Sequence, residues 1–498
     1  MKTNFKSHTK TVEQQVAHGA SYLIFFKSSS QVVSWVFTFL VARVLSPADY
    51  GLMTMATTLT AYAALFSNMG LGSAIIQRKN CTQRELSSVF WFSVSLGIGI
   101  GIIAFFLAIP TGLLFGEKRV IPLTRAVSLL FIIEGIQIVP LSLLMRNMHF
   151  KKTGLTESLG VIISSIAIFL MALSGLGVWA LLLGYILKSL FNLILYFWFS
   201  KWVPGASFNF KEVRGYLSFG LKVMISGGLA YSVSFVERFF LGRMWPVTQF
   251  GQFGFAKELS YIPTQRVVML INQVSFSGFS KIREDLPRFK AMYLKILKVI
   301  AVIVFPVFLG GFILGDELVH TLLNEKWYPM IPIFKALCLF QIIIGINAIN
   351  NGVHNALGRP QVVVVYNIVV LILLCCGFLF LLTPRFSSVL VPYFLAYGVA
   401  NIIWICYTSF TIHLSFLEYC LNIVSPLVGA LIMFCAVWLS GFLLSGILPL
   451  SSPKAMLLIR IFTGVVVYSG YFYLFMRNEF DMLFRLVRKK EVNTVNEQ

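Results

Sequence analysis

Apolar stretches near the length at which a helix crosses a bilayer, about 20 residues, recur through this 498-residue chain. They fall at 20–43, 48–70, 86–109, 121–145, 155–173, 177–199, 214–241, 249–277, 292–315, 331–355, 361–383, 388–413, 421–446 and 455–477, about fourteen spans in all. This succession leaves few folds open. Backbone in lipid must satisfy its own hydrogen bonds, which helices do within one segment, so the reading is an all-α polytopic membrane protein. Composition agrees: 58% of residues are hydrophobic and 12% charged, where soluble domains carry roughly 25% charged residues. No loop is long enough to fold by itself, and the largest, around 202–214 and 280–290, read as short amphipathic surface segments. Residues 1–18 are polar and the first apolar stretch is long and mixed, so no cleavable signal peptide is expected.

The formal charge of +21 is not gathered into a nucleic-acid-binding face. It sits in short groups on alternate connections: Arg78, Lys79 and Arg84; Arg146, Lys151 and Lys152; Lys201, Lys211 and Arg214; Lys281, Arg283, Arg288 and Lys290. The N-terminus adds Lys2, Lys6 and Lys10, and the tail adds Arg485, Arg488, Lys489 and Lys490. The intervening connections hold single charges such as Lys326, Arg385 or Lys454. The positive-inside rule then puts both termini in the cytoplasm, and an even number of spans requires termini on one side.

Two internal echoes point to duplication. Arg43, Tyr50 and Gly51 have the mutual spacing of Arg243, Phe250 and Gly251, offset by 200 positions. Arg125-Ala126 and Gly135 match Lys335-Ala336 and Gly345, offset by 210. Odd spans map to odd and even to even, so the repeats share orientation. The expected architecture is two parallel six-helix lobes, 1–205 and 206–415, around a central cavity, with two further helices and a basic tail in 416–498. Gly51 and Gly251 are expected to sit in tight turns.

Charges at bilayer depth cost roughly 2.5–3.5 kcal/mol each on insertion scales. Lys27, Lys188, Lys222, Arg238 and Arg266 exposed to lipid would together cost on the order of 15 kcal/mol, so a water-filled, net-basic cavity is expected to hold them. Gln31, Asn272, Asn347 and Asn351 join this set as polar wall residues. Such a cavity suits an anionic cargo, because Lys and Arg bond phosphate oxygens strongly; local pairing of each charge is the plainer reading. Glu134 and Glu237 are the candidates to bind a coupling ion, H+ or Na+, against simple neutralisation of a neighbouring Lys or Arg. Arg43 and Arg243 serve as gate residues or as interfacial anchors.

Enzyme chemistry finds little support. Only four aspartates occur, Asp49, Asp285, Asp316 and Asp481, with no DxD pair and no GxxxxGK[ST] loop. The six histidines lack metal-ligand spacing and the seven cysteines form no CxxC pair. Neither an enzymatic activity nor a cofactor or metal is expected.

The run GLGSAIIQRK (Gly70–Lys79), followed by Glu85-Leu86 and Phe90-Trp91, resembles bacterial polysaccharide exporters of the Wzx type. It is most like the branch that includes colanic acid and teichuronic acid exporters. ARVLSPADYG (Ala42–Gly51) and NEKWYPMIPIFKALCL (Asn324–Leu339) resemble segments of the same family. The resemblance implies the fold of the multidrug/oligosaccharidyl-lipid/polysaccharide superfamily. It also implies alternating-access flipping of undecaprenyl-diphosphate-linked oligosaccharides across the bacterial inner membrane, alongside polymerase and chain-length machinery. A cation-coupled multidrug exporter of that superfamily is the alternative, although its cavity is expected to be acidic. A membrane polymerase or ligase is expected to carry a long catalytic loop that is not found here.

Overall fold

The computed structural model describes residues 12–68, 70–78, 80–446 and 452–477, with the side chains of 12–25, 27–28, 61–68, 218–227, 229–230, 266–278, 280–281, 360 and 445–446 outside the description. The basic N-terminus and tail, and Lys79, lie outside it as well. The described chain is helical throughout, with no strand, and divides into two compact units, Met1–Gly251 and Gln252–Gln498.

The first unit holds α1 (Val12–Val44), α2 (Pro47–Asn68), α3 (Leu71–Gln77), α4 (Gln83–Phe115), α5 (Val120–Arg146), α6 (Phe150–Leu173), α7 (Val178–Ser200) and α8 (Phe210–Met244), plus the opening residues of α9 (Val247–Lys281). The second continues α9 and adds α10 (Leu286–Ile313), α11 (Gly315–Leu322), α12 (Ile331–Ala356), α13 (Pro360–Leu381), α14 (Leu390–Thr411), α15 (Phe416–Gly446) and α16 (Pro453–Phe475). Ten helical spans among the described residues are long and apolar enough to cross a membrane. The bent pair Ser29–Val44 and Pro47–Thr60, angled at 114°, brings the count to eleven if it is taken as one span. The expectation of about fourteen therefore stands at ten or eleven by length and apolarity; α8 and α9, 35 residues each, carry more polar residues.

Local chemistry sets the helix ends. Thr82 and Glu85 form a reciprocal capping box that starts α4, and Gly116 ends it in the left-handed region at φ 66°. The side chain of Asp285 accepts from the Arg288 N–H to start α10, with Pro287 in the first turn.

In the first unit α4 packs on α5, α5 on α7 and α2, and α1 on α6. One end gathers the α1–α2 corner, the α4–α5 turn and the α6–α7 turn. Arg243 donates to the Leu114 carbonyl at 3.2 Å, and Gly177 approaches the Asp49 carboxylate. The other end carries residues 201–209, which are not helical and cross the first turns of α4 as an extended strap. Gln83 donates to the Val203 carbonyl and Trp91 to the Gly205 carbonyl, each at 2.8 Å. The Gly205 and Asn209 N–H groups donate to the hydroxyls of Ser87 and Ser88 at 2.9 and 3.1 Å. The polar backbone of a non-helical segment needs such partners, and the short polar residues at the head of α4 supply them.

In the second unit α10 packs between α12 and α15, and α16 packs on α15. Trp327 is fully buried against Phe255, with ring centroids 4.5 Å apart, which accounts for the aromatic in NEKWYPMIP. Arg460 of α16, 6% exposed, pairs with Glu317 of α11, and Tyr468 donates to the Val302 carbonyl at 2.9 Å. Together these side chains seat the last helix on the unit.

Candidate functional site

The two corners share one local form. α1 ends at Val44 and α8 at Met244; two non-helical residues follow in each case, and the next helix starts at Pro47 or Val247. Leu45 and Trp245 are buried at matching places. Gly51 and Gly251 do not form the turn, contrary to the sequence expectation. Each lies one helical turn into the second helix, where it permits backbone contact. A Cβ on Gly51 would strike the Val247 carbonyl, and a Cβ on Gly251 would strike the Pro47 carbonyl and stand 2.8 Å from the Gly51 nitrogen. The contacts are reciprocal: 51 meets 247, and 251 meets 47. Neither glycine can be enlarged without parting the helices. Both Arg43 and Arg243 are exposed at this end, and Arg243 bonds a C-terminal carbonyl of α4, a favourable place for a cation.

The second pair of matched positions also repeats in space. Arg125 of α5 lies over Phe105 of α4 at 4.8 Å, and Lys335 of α12 lies over Phe312 of α10 at 5.4 Å. Gly135 lets α5 meet the α4 backbone at Ser93, whose hydroxyl donates to the Gly135 carbonyl at 2.9 Å. Gly345 lets α12 meet Val304 of α10.

Sequence-selected residues of the first unit stand on separate helices. Gln31 is half-buried on α1, Lys188 on α7 and Arg238 on α8, while Glu237 of α8 is 4% exposed. Glu134 lies midway along α5, and its Oε2 is buried without a hydrogen-bond partner among the described residues. Gln137, one turn on, has its Oε1 in the same condition. A buried carboxylate oxygen without a hydrogen bond carries an uncompensated desolvation cost. The side chains of Lys27, Lys222, Arg266 and Asn272 lie outside the described residues.

In the second unit a neutral polar chain runs through the core. Tyr293 of α10 donates to Asn350 Oδ1 at 2.9 Å, Asn350 donates to Asn347 Oδ1 at 3.1 Å, and Asn347 donates to the Ile343 carbonyl at 2.9 Å. Thr264 donates to Gln341 Oε1 at 2.9 Å. His354, fully buried, has its Nε2 3.0 Å from the Thr408 hydroxyl and its ring against Trp404. Asn351 is exposed. Sequence reasoning selected Asn347 and Asn351 but passed over Asn350, which makes the central bonds; the Asn-Asn doublet was its one visible signal.

Comparison with known proteins agrees with this architecture. Residues 40–332 match the family model described as "Polysaccharide biosynthesis protein". The lipopolysaccharide biosynthesis protein WzxC of Escherichia coli (strain K12) is 27% identical over 310 residues, covering 61% of this chain and 62% of that protein. The teichuronic acid biosynthesis protein TuaB of Bacillus subtilis (strain 168) is 22% identical over 369 residues, covering 73% and 76%. Among solved structures, the lipid II flippase MurJ in an inward closed conformation superposes with a TM-score of 0.74 at 15% identity, covering 92% of this chain and 99% of that one. An inward-facing MATE multidrug transporter of the MOP superfamily gives 0.58 at 16% identity, covering 77% and 94%. The chain spans about three fifths of WzxC, and the structural likenesses establish the fold. The resemblance to Wzx-type exporters is borne out, and with more than half of its length matched the chain belongs to the polysaccharide biosynthesis protein family.

Proposed function

We propose that this protein is a transporter, not an enzyme, that flips undecaprenyl-diphosphate-linked oligosaccharide repeat units across the bacterial inner membrane for surface polysaccharide assembly. The lobes are 1–205 and 206–415, with 416–498 adding two helices, and alternating access occurs by rocking of one lobe against the other. The observation that carries this reading is the reciprocal contact of the two corners, Gly51 on Val247 and Gly251 on Pro47. A bundle end closed by two glycine-permitted backbone contacts can part there without unpicking interdigitated side chains. The end holding the corners faces the periplasm, and the end holding Arg78, Arg84, Lys201, Lys211 and Arg214 faces the cytoplasm with both termini.

Lys27, Gln31, Lys188, Lys222, Arg238, Arg266, Asn272, Asn347 and Asn351 form the walls that receive the diphosphate and sugars. Glu134 and Glu237 take the coupling H+ or Na+, and the unsatisfied Oε2 of Glu134 favours that residue. A lipid-linked cargo fits with relatives named for lipopolysaccharide and teichuronic acid biosynthesis and a structural neighbour titled a lipid II flippase. The polysaccharide polymerase and chain-length machinery are the protein partners.

Deletion in a strain without a second exporter should trap lipid-linked repeat units in the inner leaflet and abolish the surface polymer; normal polymer would overturn the reading. Gly251→Leu should hold the corners apart and stop export at wild-type protein levels. Normal export by that variant would remove the corner contact from the mechanism.

A further inference from the structure

The strap 201–209 does more than connect α7 to α8. Its inner side is spent on α4, through the bonds to Gln83, Ser87, Ser88 and Trp91. Trp202 is held as well, its indole N–H donating to Gln83 Oε1 at 2.8 Å. Large apolar side chains stand exposed here: Val203 at 74%, Phe208 at 54% and, at the first position of α8, Phe210 at 54%. An extended segment fixed by its polar backbone, with the Trp91 and Trp202 indoles bonded at its junction with α4 and large apolar side chains exposed, has the make-up of a membrane-interface element.

The charges around the strap are one-sided. Its acidic neighbours are consumed internally: Glu85 caps α4 and pairs with Arg78 at 3.1 Å, and Glu212 accepts from the Ser88 hydroxyl at 2.6 Å. By contrast Arg84, Lys201, Lys211 and Arg214 are all exposed and have no ion-pair partner among the described residues. These four cations sit at the same end of the unit as the apolar side chains, on stems long enough to reach headgroup phosphates.

We propose that the strap is a seat for anionic phospholipid headgroups, with Val203, Phe208 and Phe210 inserted among acyl chains while Arg84, Lys201, Lys211 and Arg214 hold the phosphates. The occupant is bulk anionic lipid of the surrounding leaflet. The apolar side chains require acyl chains beside the anion, which a free phosphate lacks, and the cations distinguish phosphatidylglycerol from zwitterionic phosphatidylcholine. This seat fixes the depth of the α4 and α8 ends and depends on no assumption about the cargo.

The test uses the purified full-length chain in detergent, titrated with short-chain phosphatidylglycerol or phosphatidylcholine and followed by its melting temperature. Wild type should be stabilised by the anionic lipid at lower concentration. In K201Q/K211Q/R214Q the half-saturating phosphatidylglycerol concentration should rise about tenfold or more, since each cation near an anionic membrane surface contributes about fivefold. The phosphatidylcholine response should be unchanged. F208S/F210S should also weaken the phosphatidylglycerol response, whereas K118Q/R385Q/K454Q, with the same loss of charge at exposed positions elsewhere, should keep it. The proposal is overturned if the strap variants respond as wild type, if the control variant loses as much, or if inorganic phosphate stabilises at the concentrations at which phosphatidylglycerol does.

Discussion

The helix pairs α4–α5 and α10–α12 are two copies of one packing solution with different interiors. Both place a cation of the second helix over an aromatic ring of the first, Arg125 on Phe105 and Lys335 on Phe312. Both use a glycine at matching positions to bring the helices together, Gly135 and Gly345. Beyond that frame they diverge. α5 carries a single carboxylate, Glu134, with a buried and unsatisfied oxygen; α12 carries amides bonded into a closed neutral chain with Tyr293. The frame tolerates either because helix contact is made by the glycine and the cation. The polar interior is therefore free to differ, with an unsatisfied carboxylate oxygen in one pair and a bonded amide chain in the other.

The largest effect expected is at the glycines, and it should be unequal. At Gly135 a Cβ would press on backbone atoms of Ser93, at Gly345 only on the side chain of Val304. Overpacking typically costs about 1–3 kcal/mol, so Gly135→Ala should lie at the upper end and Gly345→Ala at the lower, read as melting-temperature shifts. Equal shifts would break the comparison. Next, Asn350→Ala strands the buried Tyr293 hydroxyl and should cost about 1–3 kcal/mol of stability. Adding Tyr293→Phe should recover part of it, and no recovery would mean the two side chains are not coupled.

Glu134→Gln should behave oppositely. Because no bonded partner is lost, the melting temperature should not fall, while the proposed coupling role requires export to drop about tenfold, equivalent to about 1.4 kcal/mol. A stability loss with unchanged export would make Glu134 structural. The smallest effect lies at the α4–α5 turn, where bonding from Arg119 holds the Glu117 carboxyl below its ordinary range. A depressed carboxylate adds stability above its unfolded pKa and loses it as pH falls through the folded value. Wild type and Glu117→Gln should therefore differ near neutral pH by less than about 1 kcal/mol and converge in acid; a difference that grows on acidification would refute the pairing.

Arg125, Lys335 and the two glycines beside them were legible in the sequence, because a close helix contact tolerates few residue types and spacing preserves them. Asn350 was not. Neighbours on a helix point about 100° apart, so the doublet 350–351 puts one amide inside and one outside, and only packing against α10 decides which. The role of Gly51 and Gly251 was misplaced for a related reason: in sequence a glycine near a corner reads as a turn former, whereas here its lack of a side chain is used by a distant chain segment, Val247 for Gly51 and Pro47 for Gly251.

By itself the sequence determined the helical membrane architecture, the rough placing of its spans and the uneven distribution of basic residues. These follow from runs of apolar residues and the cost of polar groups in lipid, which act within a few turns of chain. Tertiary structure alone decided which polar groups are satisfied: Glu134 left open, Asn350 bonded, Arg460 paired with Glu317. It also decided that residues 201–209 lie clamped across α4 with Val203 and Phe208 exposed. Hydrogen bonds and ion pairs depend on atoms from distant segments meeting within about 3 Å, and no local pattern encodes that meeting.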